Sequence, residues 1–236
     1  MSLYVHSVFQ SISGEVNPFG QGTDTTFVRL GGCNLKCKWC DTPQTQPMFA
    51  AGYEKLTVDE VYTKIREINV MPVMITGGEP LVQYDEVEEL CCRIVYDFIS
   101  GVVIETNGTI EIFNAPNVHW SVDWKPPSSG HGESFLDDNY VNLPYGSQIK
   151  CVIDTITDLE AFLIWADNSS KEYTKDRQDI LGLPKVEPSL VLSATSPDKL
   201  KFTYNLIKGF QKEGAYNVQD RRLYFSLQIH KILGLE

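Results

Sequence analysis

The chain has 236 residues, 42% hydrophobic and 22% charged, with six cysteines and a formal net charge of −11. That length suits a single domain, 1–236, with a sizeable core, and the acidic balance disfavours nonspecific nucleic-acid binding. No apolar run is long enough to span a membrane, no signal-peptide pattern opens the chain, and a tight cysteine cluster points to a reducing cytoplasm rather than to disulfides.

Residues 25–30 (TTFVRL) read as a strand leading into Gly31-Gly32 and the cysteine loop. Thr57 with Glu60 three positions on has the capping-box form, and Val58, Val61, Tyr62, Ile65 and Ile68 follow at helical spacing. Pro72 ends that helix and 73–76 is a short buried strand. Val87, Leu90, Cys91, Ile94, Val95 and Phe98 form the next helical stripe, and Gly101 opens a strand over 102–105. Further strands are predicted at 118–122, 148–153, 190–192 and 223–229. Helices are predicted at about 158–166 and from the Ser196-Pro197 start to Lys212. Residues 128–142 read as a loop and 167–187 as a surface insertion.

Repeated β-then-α order predicts a parallel sheet with crossover helices. The motifs at 31–40, 76–80, 106–108, 123–127 and 193–196 all follow strands. In barrel-like α/β folds that end of the sheet carries the site. Six or seven strands are too few for a closed eightfold barrel, so the expected fold is α/β with a partial, TIM-type barrel.

Cys33, Cys37 and Cys40 stand at C-x3-C-x2-C spacing, with Trp39 before the last. A structural zinc site takes four protein ligands, whereas cysteine thiolates are the usual ligands of iron–sulfur clusters. Three thiolates therefore suggest a metal centre with one open position. Cys91 sits on an apolar helical stripe, Cys92 beside it and Cys151 in a strand; none reads as a ligand. His6, His119 and His131 share no metal-ligand spacing.

The triad with its aromatic resembles the signature of the radical S-adenosylmethionine (SAM) superfamily. The resemblance implies a [4Fe-4S] cluster on Cys33, Cys37 and Cys40, with SAM bound through its amino and carboxylate groups to the fourth iron. Thr76-Gly77-Gly78-Glu79-Pro80 resembles that superfamily's element for the SAM amino group. The likeness extends cofactor contacts to Trp39, Asp41, Gly78, Glu79, Glu105, Asn107, Asp123, Trp124, Lys125 and Ser193.

Four segments together resemble the 7-carboxy-7-deazaguanine synthase family: 10–15 (QSISGE), 27–33 (FVRLGGC), 125–129 (KPPSS) and 228–231 (QIHK). The likeness covers nearly the whole chain. It departs from the common family pattern at Ser13-Gly14-Glu15-Val16 and at Asp123-Trp124, and it lacks an insertion some members carry between the first two cysteines. The resemblance implies conversion of 6-carboxytetrahydropterin to 7-carboxy-7-deazaguanine with loss of ammonia, on a route to queuosine-type 7-deazapurines. SAM would be cleaved to methionine and a 5′-deoxyadenosyl radical, and regenerated after the ring contraction. Substrate contacts are expected at Ile12, Ser13, Gly14, Glu15, Arg29, Thr76 and His230. Arg29 offers a bidentate cation to the substrate carboxylate, and Glu15 faces the pterin N–H edge. Thr42 is expected to bind Mg2+ beside that carboxylate. A reductant such as flavodoxin or ferredoxin and a homodimer complete the family picture. A glycyl-radical activase and, from another class, a zinc-binding interaction module are the competing readings.

Overall fold

In the computed structural model, which describes residues 2–49, 52–97, 101–180, 187–212 and 223–234, nine strands are present. They are β1 (Ser2–Ile12), β2 (Asp24–Leu30), β3 (Glu54–Thr57), β4 (Val73–Gly77), β5 (Val102–Thr106), β6 (Val118–Trp124), β7 (Gln148–Ile153), β8 (Ser189–Ala194) and β9 (Leu223–Ser226). All join one sheet in the order β3-β1-β2-β4-β5-β6-β7-β8-β9. Pairing is parallel from β2 through β9, whereas β1 pairs antiparallel with both β2 and β3. The end strands β3 and β9 do not pair, so the barrel is partial and open.

The seven parallel strands are those the sequence predicts; β1 and β3 are additional. β3 is four residues of mostly exposed side chains, with no buried alternation to reveal it. β1 has only two fully buried positions, Leu3 and Val5, in its eleven residues.

The helices are α1 (Val58–Ile68), α2 (Tyr84–Asp97), α3 (Asp138–Asn142), α4 (Ile156–Ile180), α5 (Leu200–Lys212) and α6 (Ile229–Leu233). α1 begins at the predicted capping box. The Glu60 amide donates to Thr57 Oγ1 at 3.2 Å, and the Thr57 amide donates to the Glu60 carboxylate at 2.7 Å. Its stripe of Val58, Val61, Tyr62 and Ile65 is buried.

Three expectations need correction. The helix predicted to end near 166 runs to Ile180, so most of the expected surface insertion is helical. Beyond Ala166 the sequence DNSSKEYTKDRQDI has no apolar stripe, so periodicity alone could not follow the helix. The expected loop at 128–142 holds a 3-10 turn at Pro127–Ser129 and α3. The last strand stops at Ser226, because Gln228 takes the left-handed conformation (φ 50°) and turns the chain into α6. Phe98 lies outside the described residues.

Successive side chains alternate across a strand, and here the two faces differ in chemistry. The outer face carries Val28, Leu30, Ile75, Ile104, Val122, Trp124, Ile149, Cys151 and Leu192 into the core shared with the helices. The inner face is plugged low down by Phe27, Met74 and Val103, with Phe9 against them. Two residues further along the same strands stand Arg29, Thr76 and Glu105, toward the carboxyl ends. The fold thus sets an apolar floor beneath a polar chamber. Among the described residues no helix is long and apolar enough to cross a membrane.

Candidate functional site

The chamber is a cavity of about 440 Å³, within the range of small-molecule sites. Its wall includes Cys33, Cys37 and Cys40, and so unites the cysteine loop with the carboxyl ends of the parallel strands. Backbone bonds stitch the loop down. Gly78 N–H donates to Leu30 O at 3.0 Å and Glu79 N–H to Gly32 O at 2.7 Å. A Cβ on Gly78 would lie 2.0 Å from Gly32 O, so only glycine permits this approach. From the other side, Lys38 N–H donates to Ser129 O at 3.3 Å and Lys36 N–H to His131 Nε2 at 3.1 Å. The 125–131 segment therefore braces the cysteine loop.

Glu79 is buried and accepts from Leu81 N–H (3.0 Å), Thr106 Oγ1 (2.7 Å) and Asn107 N–H (2.6 Å). Burial pushes its carboxyl up, against those donors. Asn107 in turn donates from Nδ2 to Asn34 Oδ1 at 2.8 Å, beside Cys33. Glu79 thus stands behind the wall and joins β4, β5 and the cysteine loop.

Charged side chains form a band around the cavity. Lys150 Nζ bonds Glu15 Oε2 and lies 3.1 Å from Asp123 Oδ1. Lys125 Nζ bonds Asp123 Oδ2 at 3.0 Å, and Lys231 pairs with Asp41 at 3.0 Å. Burial alone would raise the Asp123 carboxyl, but Lys125 and Lys150 hold it below the ordinary carboxylate range. Arg29 differs. Its guanidinium lies 5.0 Å over the Phe9 ring, its buried Nε has no hydrogen-bond partner, and no carboxylate pairs with it among the described residues.

Glu105 accepts from Thr76 Oγ1 at 2.7 Å, and burial pushes its carboxyl up to about 7 against the opposing charge of Lys150. The native state therefore keeps a proton that the unfolded chain releases. That stability is complete below the unfolded value, about 4.3, and is lost as pH rises through about 7. Glu105→Gln is expected to flatten this fall, so that the variant loses less stability than the parent between pH 5 and pH 8. Urea unfolding at pH 5 and pH 8 measures it, and an unchanged pH slope would refute the assignment.

Eighteen of the residues expected at the site line this one cavity: Ile12, Ser13, Gly14, Glu15, Arg29, Cys33, Cys37, Trp39, Cys40, Asp41, Thr42, Thr76, Gly78, Glu105, Asn107, Asp123, Lys125 and His230. Three do not. Glu79 is the brace just described. Trp124 follows Asp123, so strand alternation turns it outward, with ring centroids 5.4 Å from Phe162 and 5.5 Å from Trp165. Ser193 lies on β8 beyond the wall, fully buried, its Oγ without a partner. Lys150, Gln228 and Lys231 line the cavity unforeseen. A lysine inside the otherwise buried strand 148–153 was the available signal for the first.

Residues 27–115 match the Radical SAM superfamily. A 7-carboxy-7-deazaguanine synthase from Thermoplasma acidophilum is 36% identical over 168 residues, 70% of this chain and 77% of that protein. The one from Clostridium acetobutylicum is 31% identical over 206 residues, covering 85% and 90%. The chain belongs to the 7-carboxy-7-deazaguanine synthase family. The crystal structure of QueE from Escherichia coli shares the fold, with a TM-score of 0.68 at 21% identity over 94% of this chain and 93% of that one.

Radical SAM membership implies a [4Fe-4S] cluster and SAM. Cys33, Cys37 and Cys40 line the same cavity, an arrangement that suits a cluster held by three thiolates. Neither the zinc module nor the activase is favoured by this arrangement or by the relatives.

Proposed function

We propose that this chain converts 6-carboxytetrahydropterin to 7-carboxy-7-deazaguanine, with Cys33, Cys37 and Cys40 holding the cluster. The reading is carried by Arg29, a half-buried cation with no carboxylate partner among the described residues and an unsatisfied buried Nε, lining a cavity whose three lining lysines are all ion-paired. A substrate carboxylate would satisfy it bidentately. When bound, the cluster would supply one-electron reductive cleavage of SAM, the electron coming from the external reductant.

The chain's own residues bind, orient and exclude water. Thr76 sits beside Arg29 in the β2–β4 register, its hydroxyl donating to Glu105, and lines the substrate side of the cavity next to that guanidinium. Glu15 faces the N–H edge of the pterin. The His230 ring packs against Gly14 so closely that a Cβ there would lie 1.9 Å from Nδ1, and it lines the cavity next to Lys231, which pairs with Asp41. Gly78, Asn107 and Lys125 are the SAM contacts in this reading, beside the loop they brace. A single domain, a homodimer and a small electron-transfer protein as reductant belong to it too. Anaerobic incubation with 6-carboxytetrahydropterin, SAM and dithionite, read by product mass, tests the reading; no 7-carboxy-7-deazaguanine would refute it.

Thr42 is assigned Mg2+. It precedes the 3-10 turn at Pro43–Thr45, yet its side chain makes no capping bond there. The hydroxyl lies 3.9 Å from Cys40 Sγ at the cavity wall, available to a cation. A hydroxyl with substrate oxygens and waters suits octahedral Mg2+, which would orient the carboxylate-bearing carbon. Thr42→Val is expected to abolish most of the stimulation by Mg2+ while SAM binding persists. Equal Mg2+ dependence in parent and variant would leave the hydroxyl without this role.

A further inference from the structure

Lys150 occupies the middle of β7, between β6 and β8, and is 6% exposed. A lysine there must be paired, because an unpaired buried ammonium is very costly. Its pairing is unusually directed. Lys150 Nζ bonds Glu15 Oε2, while Gln228 Nε2 donates to the other oxygen, Oε1, at 2.5 Å. Two residues earlier on the same strand face, Gln148 Nε2 donates to Val16 O at 2.5 Å. β7 thus grips the segment carrying Glu15 at two successive inward positions. Asp123, on the next strand, lies 3.1 Å from Lys150 but outside hydrogen-bond geometry, and is itself bonded to Lys125. Without the Lys150 ammonium, Glu15 would face Asp123 and Glu105 with no cation between them.

A carboxylate oxygen has two acceptor positions. Lys150 and Gln228 each take one, on different oxygens, which leaves one free on each. That is the acceptor pair a planar 2-amino-pyrimidinone edge requires, with two parallel N–H donors.

We propose that Lys150 is the positioning residue for Glu15, fixing its carboxylate so that the site selects 2-amino pterin rings over rings carrying oxygen at that position. The proposal rests on the pterin reading above. A site built around paired donors discriminates steeply against a ligand lacking one, because its acceptor is left unmatched.

The test uses the full chain with its cluster and SAM, under anaerobic conditions. Binding of the fluorescent probes 6-carboxypterin and 6-carboxylumazine, which differ in amino against oxo at the 2-position, is measured by titration. The parent is expected to prefer the pterin. Lys150→Met is expected to lose about tenfold or more of that preference, with SAM affinity unchanged, and Lys150→Arg to restore part of it. In a Glu15→Gln background, Lys150→Met should cause no further loss of preference. Equal weakening of both probes by Lys150→Met, with preference intact, would overturn the role of Lys150 alone. A parent protein that binds neither probe would overturn the pterin reading and this proposal with it.

Discussion

Replacing Cys33, Cys37 or Cys40 singly by alanine is expected to abolish SAM cleavage, because each thiolate would hold one iron and the cavity wall offers no fourth cysteine among the described residues. Burial is the first cause that raises the Cys33 and Cys37 thiols, so neither is poised as a free thiolate. Metal ligation reverses this, since a coordinating thiol is deprotonated outright. Cys91 and Cys151 make the contrast: both are fully buried in the helix-side core, and Cys151 points away from the cavity because its neighbour Lys150 points in. Alanine at either should cost about 1 kcal/mol of stability and leave the iron in place. Iron and sulfide analysis, visible absorbance and 5′-deoxyadenosine release measure the series. Iron lost from Cys91→Ala but kept by Cys37→Ala would sink the assignment.

What could be read in advance follows from where the physical signal is local. The α1 capping box and its stripe are written within twelve residues, and both are present in the fold. The cysteine spacing is likewise local, and it lies on one cavity wall with the strand-end motifs. Signals that depend on a partner strand were weaker. β3 has four mostly exposed residues, and only its pairing with β1 makes it a strand. Glu79 reads as a ligand contact by motif, yet Thr106 and Asn107, nearly thirty positions later, turn it into a brace. Trp124 differs for a simpler reason: alternation along β6 turns its side chain into the helix-side core, against Phe162 and Trp165, while Asp123 lines the cavity. Lys150 was overlooked because its meaning lies in Glu15, 135 positions away. The charge balance of the chamber, and with it the isolation of Arg29, exists only once those distant pairs are assembled.

Arg29→Lys is expected to weaken substrate binding by roughly 1.5–3 kcal/mol, the worth of a hydrogen bond to a charged group, or about 10- to 150-fold in affinity. Total charge is conserved, so the effect isolates geometry. The guanidinium is planar, presents a fork of donors to a carboxylate and stacks on a ring. Here it lies against Phe9, above the apolar floor of Phe27 and Met74. A lysine ammonium is a more strongly hydrated point charge that matches neither the fork nor the stack. SAM binding should not change, because the cofactor contacts assigned above come from the cysteine loop, Gly78, Asn107 and Lys125 rather than from Arg29. Titration of 6-carboxytetrahydropterin and of SAM separately, with iron content as the control for an intact loop, reads the two affinities apart. Equal loss of both would mark Arg29 as a structural support, and unchanged pterin affinity would remove it from the site. A carboxylate-specific loss would place the substrate's carboxyl at Arg29, toward the carboxyl end of β2 and directly above the floor, with the pterin ring directed toward Glu15.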